Sequence, residues 1–270
     1  MTTPVSIGIV GAAGRMGLRL VALACADPAL RVVAAMDRAD HPDLGRDVGT
    51  LAGGKPLNTR LSDTLGAKPD VIIDFSTPAG LAVTVDLARH FRCGLVVGTT
   101  GLGEQHQHWL DTIAHVAPVI QATNYSLVVN VLTTLAQRAA TLLGDDYDVE
   151  ILEAHHRFKK DAPSGTALSL ARAVCEVTGR AFDKDVLFAR HGDDVPRKPR
   201  DLTVQTLRIG DAPGEHTVYF AAPGERLELR HVSTSRDSYA RGALAAAKWL
   251  AQPQMRPAGR YTMKDVLGLS

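Results

Sequence analysis

The run Glu153-Ala-His-His-Arg-Phe-Lys-Lys-Asp-Ala-Pro-Ser-Gly-Thr166 concentrates residue types that bind anions and move protons. Its arginine and lysines can pair with carboxylates or phosphates. Ser164, Gly165 and Thr166 open a helical pattern, and a helix start offers unpaired N–H groups to an anion. The run also supplies a histidine and a lysine that could move protons. The Ser164-Gly165-Thr166 turn is a candidate anion contact, with Gly165 letting a ligand approach the backbone. Glu153 can orient a neighbour or simply pair with a cation. Arg157 and Lys160 fit a solvated face, and Arg236 can reach the ligand or a domain hinge. A lysine among so many cations is favoured to give up a proton.

A second motif lies near the N-terminus. The apolar run Val5 to Val10 reads as a buried strand, and Gly11, Gly14 and Gly17 follow it before a helical pattern begins. The turn Gly11-Ala12-Ala13-Gly14-Arg15-Met16 is therefore a candidate dinucleotide loop, in which glycines let the backbone approach a pyrophosphate seated on the helix start. A plain structural turn is the alternative. A second apolar run, Leu30 to Met36, ends in Asp37, placed to hold the adenosine ribose. Arg38 beside it can pair with the extra phosphate of NADPH, so the pair suggests use of NADH or NADPH.

These residues need a frame to position them. Strand-like runs at 5–10, 30–36, 70–75, 94–98 and 118–122 alternate with helix-like runs at 15–26, 79–90 and 103–116. The alternation implies an α/β, Rossmann-type doubly wound parallel sheet. Ligands of such sheets collect at the strand C-termini. Candidates there are Gly98, Thr99 and Thr100 after the fourth run, and Ala122, Thr123, Asn124 and Tyr125 after the fifth; ordinary turn and cap roles compete with this. Beyond a helix at 127–143 the pattern changes. Strand-like runs at 147–155, 202–209, 215–222 and 226–234 suggest an α+β substrate domain with a mixed, mostly antiparallel sheet. A helical tail from Ser238 can return to the first domain. The expected domains are 1–126 with 236–270, and 127–235.

Composition narrows the function. The chain has 270 residues, 45% of them hydrophobic, and a formal charge of +1, so no global charge attracts nucleic acid. The apolar N-terminal run is too short for a membrane span. Cys25, Cys93 and Cys175 form no paired framework, which fits a reducing cytoplasm. No metal site is expected: His155 and His156 are adjacent, so on a strand they point to opposite faces, and no HExxH or Cys/His spacing occurs.

The segment Glu153 to Ala167 closely resembles the motif of the dihydrodipicolinate reductase family. Gly11 to Gly17, Val97-Gly-Thr-Thr-Gly101 and Ala122 to Ser126 resemble that family's cofactor segments. Gly214-Glu-His-Thr217 and Met263-Lys-Asp-Val-Leu267 are also similar, so the likeness spans essentially the whole chain. Phe158 departs from it, standing where some members carry a third histidine. The resemblance implies reduction of a cyclic imine dicarboxylate by NADH or NADPH, with loss of water, on the diaminopimelate route to lysine. It further implies His155 as proton donor and acceptor, Lys159 as proton donor, and His156, Ser164, Gly165 and Thr166 as substrate contacts. The assembly it implies is a homotetramer built through the substrate-domain sheets. Two rivals stand beside it: another NAD(P)-dependent imino- or amino-acid dehydrogenase, and a non-catalytic nucleotide-binding redox sensor.

Overall fold

Short apolar runs bounded by glycine and proline become strands, and the amphipathic stretches between them become helices. The computed structural model describes residues 3–252 and 254–269; residues 1, 2, 253 and 270 of the expected nucleotide domain lie outside these. In chain order the elements are β1 (Val5–Val10), α1 (Arg15–Cys25), β2 (Leu30–Met36), α2 (Val48–Leu51), β3 (Leu61–Ser62), β4 (Val71–Asp74), α3 (Leu81–Phe91), β5 (Gly94–Val97), α4 (Glu104–Ala114), β6 (Pro118–Gln121), α5 (Leu127–Leu143), β7 (Asp148–His155), α6 (Gly165–Thr178), α7 (Phe182–Asp185), β8 (Val186–Leu187), β9 (Leu202–Arg208), β10 (Gly214–Ala222), β11 (Glu225–Ser233), α8 (Asp237–Ala251), β12 (Gly259–Tyr261) and α9 (Met263–Leu267). They divide into two units, Met1–Leu127 with Asp237–Ser270, and Val128–Arg236.

The first unit is built on a parallel sheet of order β12-β6-β5-β4-β1-β2-β3. The five strand-like runs become β1, β2, β4, β5 and β6. The edge strands β3 and β12 are only two and three residues long, too short to carry a readable alternation. Strands β1, β4 and β5 are buried along their whole length, as expected of a parallel sheet covered on both faces. Ile7, Ile9 and Ile73 pack with Leu20 and Val21 of α1 and Ala243, Ala247 and Leu250 of α8. On the opposite face Ile72, Leu95 and Val97 pack with Leu81 and Val85 of α3 and Leu110 and Ile113 of α4. Strand order reverses between β1 and β4, so the loops after those strands flank the crevice where such sheets bind ligands.

The second unit holds a sheet of order β11-β10-β7-β9-β8. Strands β10 and β11 are antiparallel, as are β7 and β10, whereas β9 runs parallel to both β7 and β8. The sheet is mixed because β7 reaches β9 through a crossover containing α6, and such connections return a strand in the same direction. One face carries Val149 and Ile151 of β7, Val218 and Phe220 of β10, and Leu202 and Val204 of β9, packed against Leu132 and Ala136 of α5 and Leu170 and Val174 of α6. By length and composition alone, the stretch Leu127–Asp146 would suffice to cross a membrane; in the fold α5 covers this sheet. Farther along the same face the alternation continues into polar groups: Glu153 and His155, then His216, His231, Thr206 and Arg208.

Candidate functional site

In the first unit the loop after β1 turns sharply at Gly11, whose φ of +75° is a left-handed conformation. The Gly11 and Ala12 amides donate to the Met36 carbonyl at 2.9 and 3.0 Å. Gly14 is the N-cap of helix α1 and supplies no side-chain cap, so the first-turn N–H groups lack intrahelical acceptors and lie at the positive end of the helix dipole. Gly17 sits in that first turn against the loop: a Cβ there would lie 2.2 Å from the Gly11 carbonyl oxygen. Asp37, at the end of β2, accepts the Ala13 N–H at 2.9 Å and the Arg38 N–H at 2.9 Å.

Two cavities adjoin this loop. One, of about 520 Å³, is lined by Gly11, Ala13, Gly14, Asp37 and Arg38, with His41 and Thr77. The other, of about 420 Å³, is lined by Arg15, Met16, Gly98, Thr99, Thr100, Thr123, Asn124 and Tyr125. Thirteen of the fifteen sequence-predicted cofactor residues thus gather around two neighbouring hollows. Ala12 is buried, and Ala122 packs on the apolar core. The cradle of small residues and an open helix start fits a dinucleotide.

Two of these residues have other duties. The Tyr125 ring is buried, with its hydroxyl 2.8 Å from the Val97 carbonyl and 3.1 Å from that of Ile120. Burial pushes its phenol upward, so it acts as a wall rather than an acid. Thr99 donates to Asp74 at 2.5 Å. Asp74 itself, fully buried, also accepts from Ser76 N–H, Ser76 hydroxyl and Thr84 hydroxyl. It anchors the loops after β4 and β5 by hydrogen bonds to an otherwise costly buried carboxylate.

In the second unit the organising residue is Glu153, fully buried on β7. Its Oε1 accepts the Ser164 N–H at 3.0 Å, Thr206 hydroxyl at 3.2 Å and Arg208 Nη2 at 3.0 Å. Its Oε2 accepts Arg208 Nη1 at 3.0 Å and lies 2.5 Å from His155 Nδ1. Burial alone would raise this carboxyl, but the bonds from His155, Arg208 and Ser164 outweigh it and hold the group at about 2. An ionised Glu153 takes the Nδ1–H of His155 and leaves Nε2 as the nitrogen available for proton exchange.

His155 is buried, and its ring meets His216 edge-on at 5.3 Å. His216 lies 3.3 Å from the Ser164 hydroxyl through Nε2 and stacks on His231. Burial, then the neighbouring His155 and His231, pushes His216 down to about 3, so it stays neutral. Ser164 is the N-cap of α6: buried, it accepts the Ala167 N–H at 3.2 Å. Its N–H and hydroxyl are thereby engaged at the helix start, next to Gly165 and Thr166. The space where a Gly165 side chain would stand is open.

His156 follows the strand end and is half-buried. Phe158 is 80% exposed. Among the cations of its loop, the Lys159 ammonium pairs with Asp161 at 2.8 Å, so an anion is its closest charged partner. Arg236 is exposed at the end of this unit. Sequence reasoning left Glu153 open, placed His216 in a family-like segment without a role, and missed Arg208; the strand register brings both beside Glu153. Among the described residues no group of histidine, cysteine or acidic side chains could hold a metal ion.

Residues 5–125 match the family model described as dihydrodipicolinate reductase, N-terminus, and residues 128–267 the one described as dihydrodipicolinate reductase, C-terminus. A 4-hydroxy-tetrahydrodipicolinate reductase of Anaeromyxobacter dehalogenans is 44% identical over 264 residues, covering 97% of each chain. One from Acinetobacter baylyi is 40% identical over 273 residues, covering 100% of this chain and 98% of its own. Among solved structures, a dipicolinate-bound dihydrodipicolinate reductase from Paenisporosarcina sp. TG-14 aligns with a TM-score of 0.76 at 24% identity, over 96% of this chain and 98% of that one. A probable dehydrogenase from Thermotoga maritima aligns with a TM-score of 0.61 at 12% identity, over 98% and 93%. These structural likenesses concern the fold.

Proposed function

The chain belongs to the dihydrodipicolinate reductase family, and from that premise we infer that it is a 4-hydroxy-tetrahydrodipicolinate reductase. It is an oxidoreductase of the diaminopimelate route to lysine and uses a nicotinamide cofactor. The two rival readings fall away with the family match. In the structure, the observation that supports the reading best is the buried Glu153–His155 pair beside the start of α6. It joins a poised proton carrier to a backbone anion site.

The cofactor, when bound, supplies a hydride. Gly11, Ala13, Gly14, Asp37 and Arg38 would hold its adenosine and phosphate portion, and Gly98, Thr99, Thr100, Thr123 and Asn124 its nicotinamide portion. Asp37 with Arg38 supports use of both NADH and NADPH, since one favours a free ribose and the other a ribose phosphate.

The substrate is a cyclic imine with two carboxylates. Reducing a conjugated imine adds negative charge to the ring, so a proton must be delivered as that charge develops. Lys159 is the proposed donor, an ammonium held near the site by Asp161. His155 exchanges protons through Nε2 while Glu153 fixes its tautomer and orientation. The Gly165 and Thr166 amides at the start of α6 receive a carboxylate, and His156 holds the substrate beside them.

We propose a homotetramer assembled through the second unit's sheet, supported by the exposed Leu207 and Val232 on the sheet face opposite the helices. Light scattering should give about four times the 28.8 kDa chain mass; a monomer would remove this claim. The three free cysteines support a reducing cytoplasmic setting, which cell fractionation would check.

The activity is tested by following NADH and NADPH oxidation while the synthase of the preceding step makes substrate in the same cuvette. Rapid oxidation is expected, reduced roughly 100-fold or more in His155→Ala. No oxidation with either nucleotide, despite nucleotide binding, would refute the reading.

A further inference from the structure

Arg208 lies beside His155 across the parallel β7–β9 pair. Its guanidinium makes a fork on Glu153, Nη1 to Oε2 and Nη2 to Oε1, each at 3.0 Å. From the same end it reaches out of the sheet: Nη2 also donates to the Asp161 carbonyl at 2.5 Å. The Asp161 carboxylate pairs with Lys159. One side chain therefore touches both the carboxylate that sets the His155 ring and the backbone of the residue that holds Lys159.

We propose that Arg208 is a positioning residue that couples His155 to Lys159, fixing the two proton-transfer groups relative to each other. The inference rests on the reductase reading above and extends it to a residue that contacts neither substrate nor cofactor in that scheme. A planar guanidinium suits the task because it places several N–H donors in a rigid fork. Lysine has the charge but cannot grip both Glu153 oxygens and a third acceptor in one plane. Arg208 also has an electrostatic effect, since it keeps the buried Glu153 ionised, and an ionised Glu153 keeps the His155 proton on Nδ1. Through Asp161 it sets the path of the loop after β7, on which Lys159 must be placed to within a fraction of an ångström for proton delivery.

The test is steady-state kinetics of Arg208→Ala and Arg208→Lys, alongside the unaltered enzyme, with NADH affinity measured separately by fluorescence. The expected result is a fall in kcat on the order of 100-fold with NADH affinity unchanged. Added guanidinium should partly restore Arg208→Ala, whereas urea at the same concentration should not. In nitrogen-15 spectra the His155 Nδ1–H signal should be present in the unaltered enzyme and lost in Arg208→Ala. If Arg208→Ala does not fold, Arg208→Lys carries the test, with the same fall in kcat at unchanged NADH affinity. Native kcat in either folded variant would overturn the proposal, as would a loss that guanidinium fails to relieve together with an unchanged His155 signal. An unaltered enzyme that turns over no substrate would instead refute the reductase reading itself.

Discussion

Glu153 Oε2 lies 2.5 Å from His155 Nδ1, between two side chains that leave the same face of β7 two residues apart. Strand periodicity alone brings them together, because residues i and i+2 share a face. The consequence is chemical. A buried, ionised carboxylate on one ring nitrogen decides which nitrogen remains for chemistry. The same carboxylate takes the Ser164 N–H that leads into α6, so one residue orients the proton carrier and also anchors the helix that offers Gly165 and Thr166.

Replacing Glu153 with Gln keeps the shape and removes the charge. The amide can then meet His155 through either of its ends, and the tautomer is no longer specified. We expect kcat to fall roughly 100-fold or more, with a much smaller change in substrate KM. A variant with native kcat would restrict Glu153 to a structural role.

The polar end of the sheet should also make stability depend on pH. Glu153 is held at about 2, below its ordinary 4.5. Its contribution is thus complete above about 4.5 and is lost as the pH falls toward 2, where the folded form must also take the proton. His216, lowered by burial and then by the charges of His155 and His231 to about 3 from 6.5, acts in a higher window. Between 6.5 and 3 the unfolded chain binds its proton and the folded chain does not, so stability falls as the pH drops through that range. Urea midpoints measured against pH should decline below 6.5, less so in His216→Gln, and Glu153→Gln should flatten the decline below 4.5. Identical profiles in all three proteins would contradict this assignment.

Much of this site is local in sequence, and that part was readable. His155, His156, Lys159, Gly165 and Thr166 fall within twelve residues, and the glycine loop follows directly on β1. The remainder depends on register. Arg208 is 55 residues from Glu153 and joins it only because β9 pairs with β7. Thr84 and Thr99 meet on Asp74 from α3 and the loop after β5, and nothing in their local patterns marks them as donors to a buried acid. Tyr125 shows the opposite case: it sits in a cofactor-like segment, yet its ring belongs to the core. The parallel β7–β9 pair was likewise hidden, because strand direction follows from what the intervening chain does, and the alternation of side chains is the same in either direction.

Arg38 tests the choice of nucleotide. Its guanidinium is largely exposed and pairs with Asp40 at 3.1 Å, at the rim of the hollow that Asp37 also lines. Arg38→Ala should weaken NADPH binding more than NADH binding, by roughly 0.2–1 kcal/mol as for an exposed ion pair. Titration of both nucleotides by fluorescence checks it; equal weakening would remove Arg38 from phosphate recognition.

Gly17 tests the loop. An added Cβ would stand 2.2 Å from the Gly11 oxygen and 2.6 Å from the Ala12 carbonyl carbon, both backbone atoms. Gly17→Ala should therefore cost roughly 1–3 kcal/mol and weaken both nucleotides together. Gly66→Ala is the control, since a Cβ there meets nothing within 4 Å. Equal stability of the two variants in thermal unfolding would show that the loop yields.

Gly165 separates folding from binding. It is the first residue of α6, and a Cβ there meets no protein atom within 4 Å. For the fold, alanine should be neutral or stabilising by up to about 1 kcal/mol, because glycine is the weaker helix former. For the ligand, the new methyl would enter the space through which a carboxylate reaches the Gly165 and Thr166 amides. Gly165→Ala should therefore raise the substrate KM while leaving the melting temperature and nucleotide affinity intact. A variant with native KM would mean that the substrate carboxylate is bound elsewhere, and the role of this helix start would be confined to holding Glu153 through Ser164.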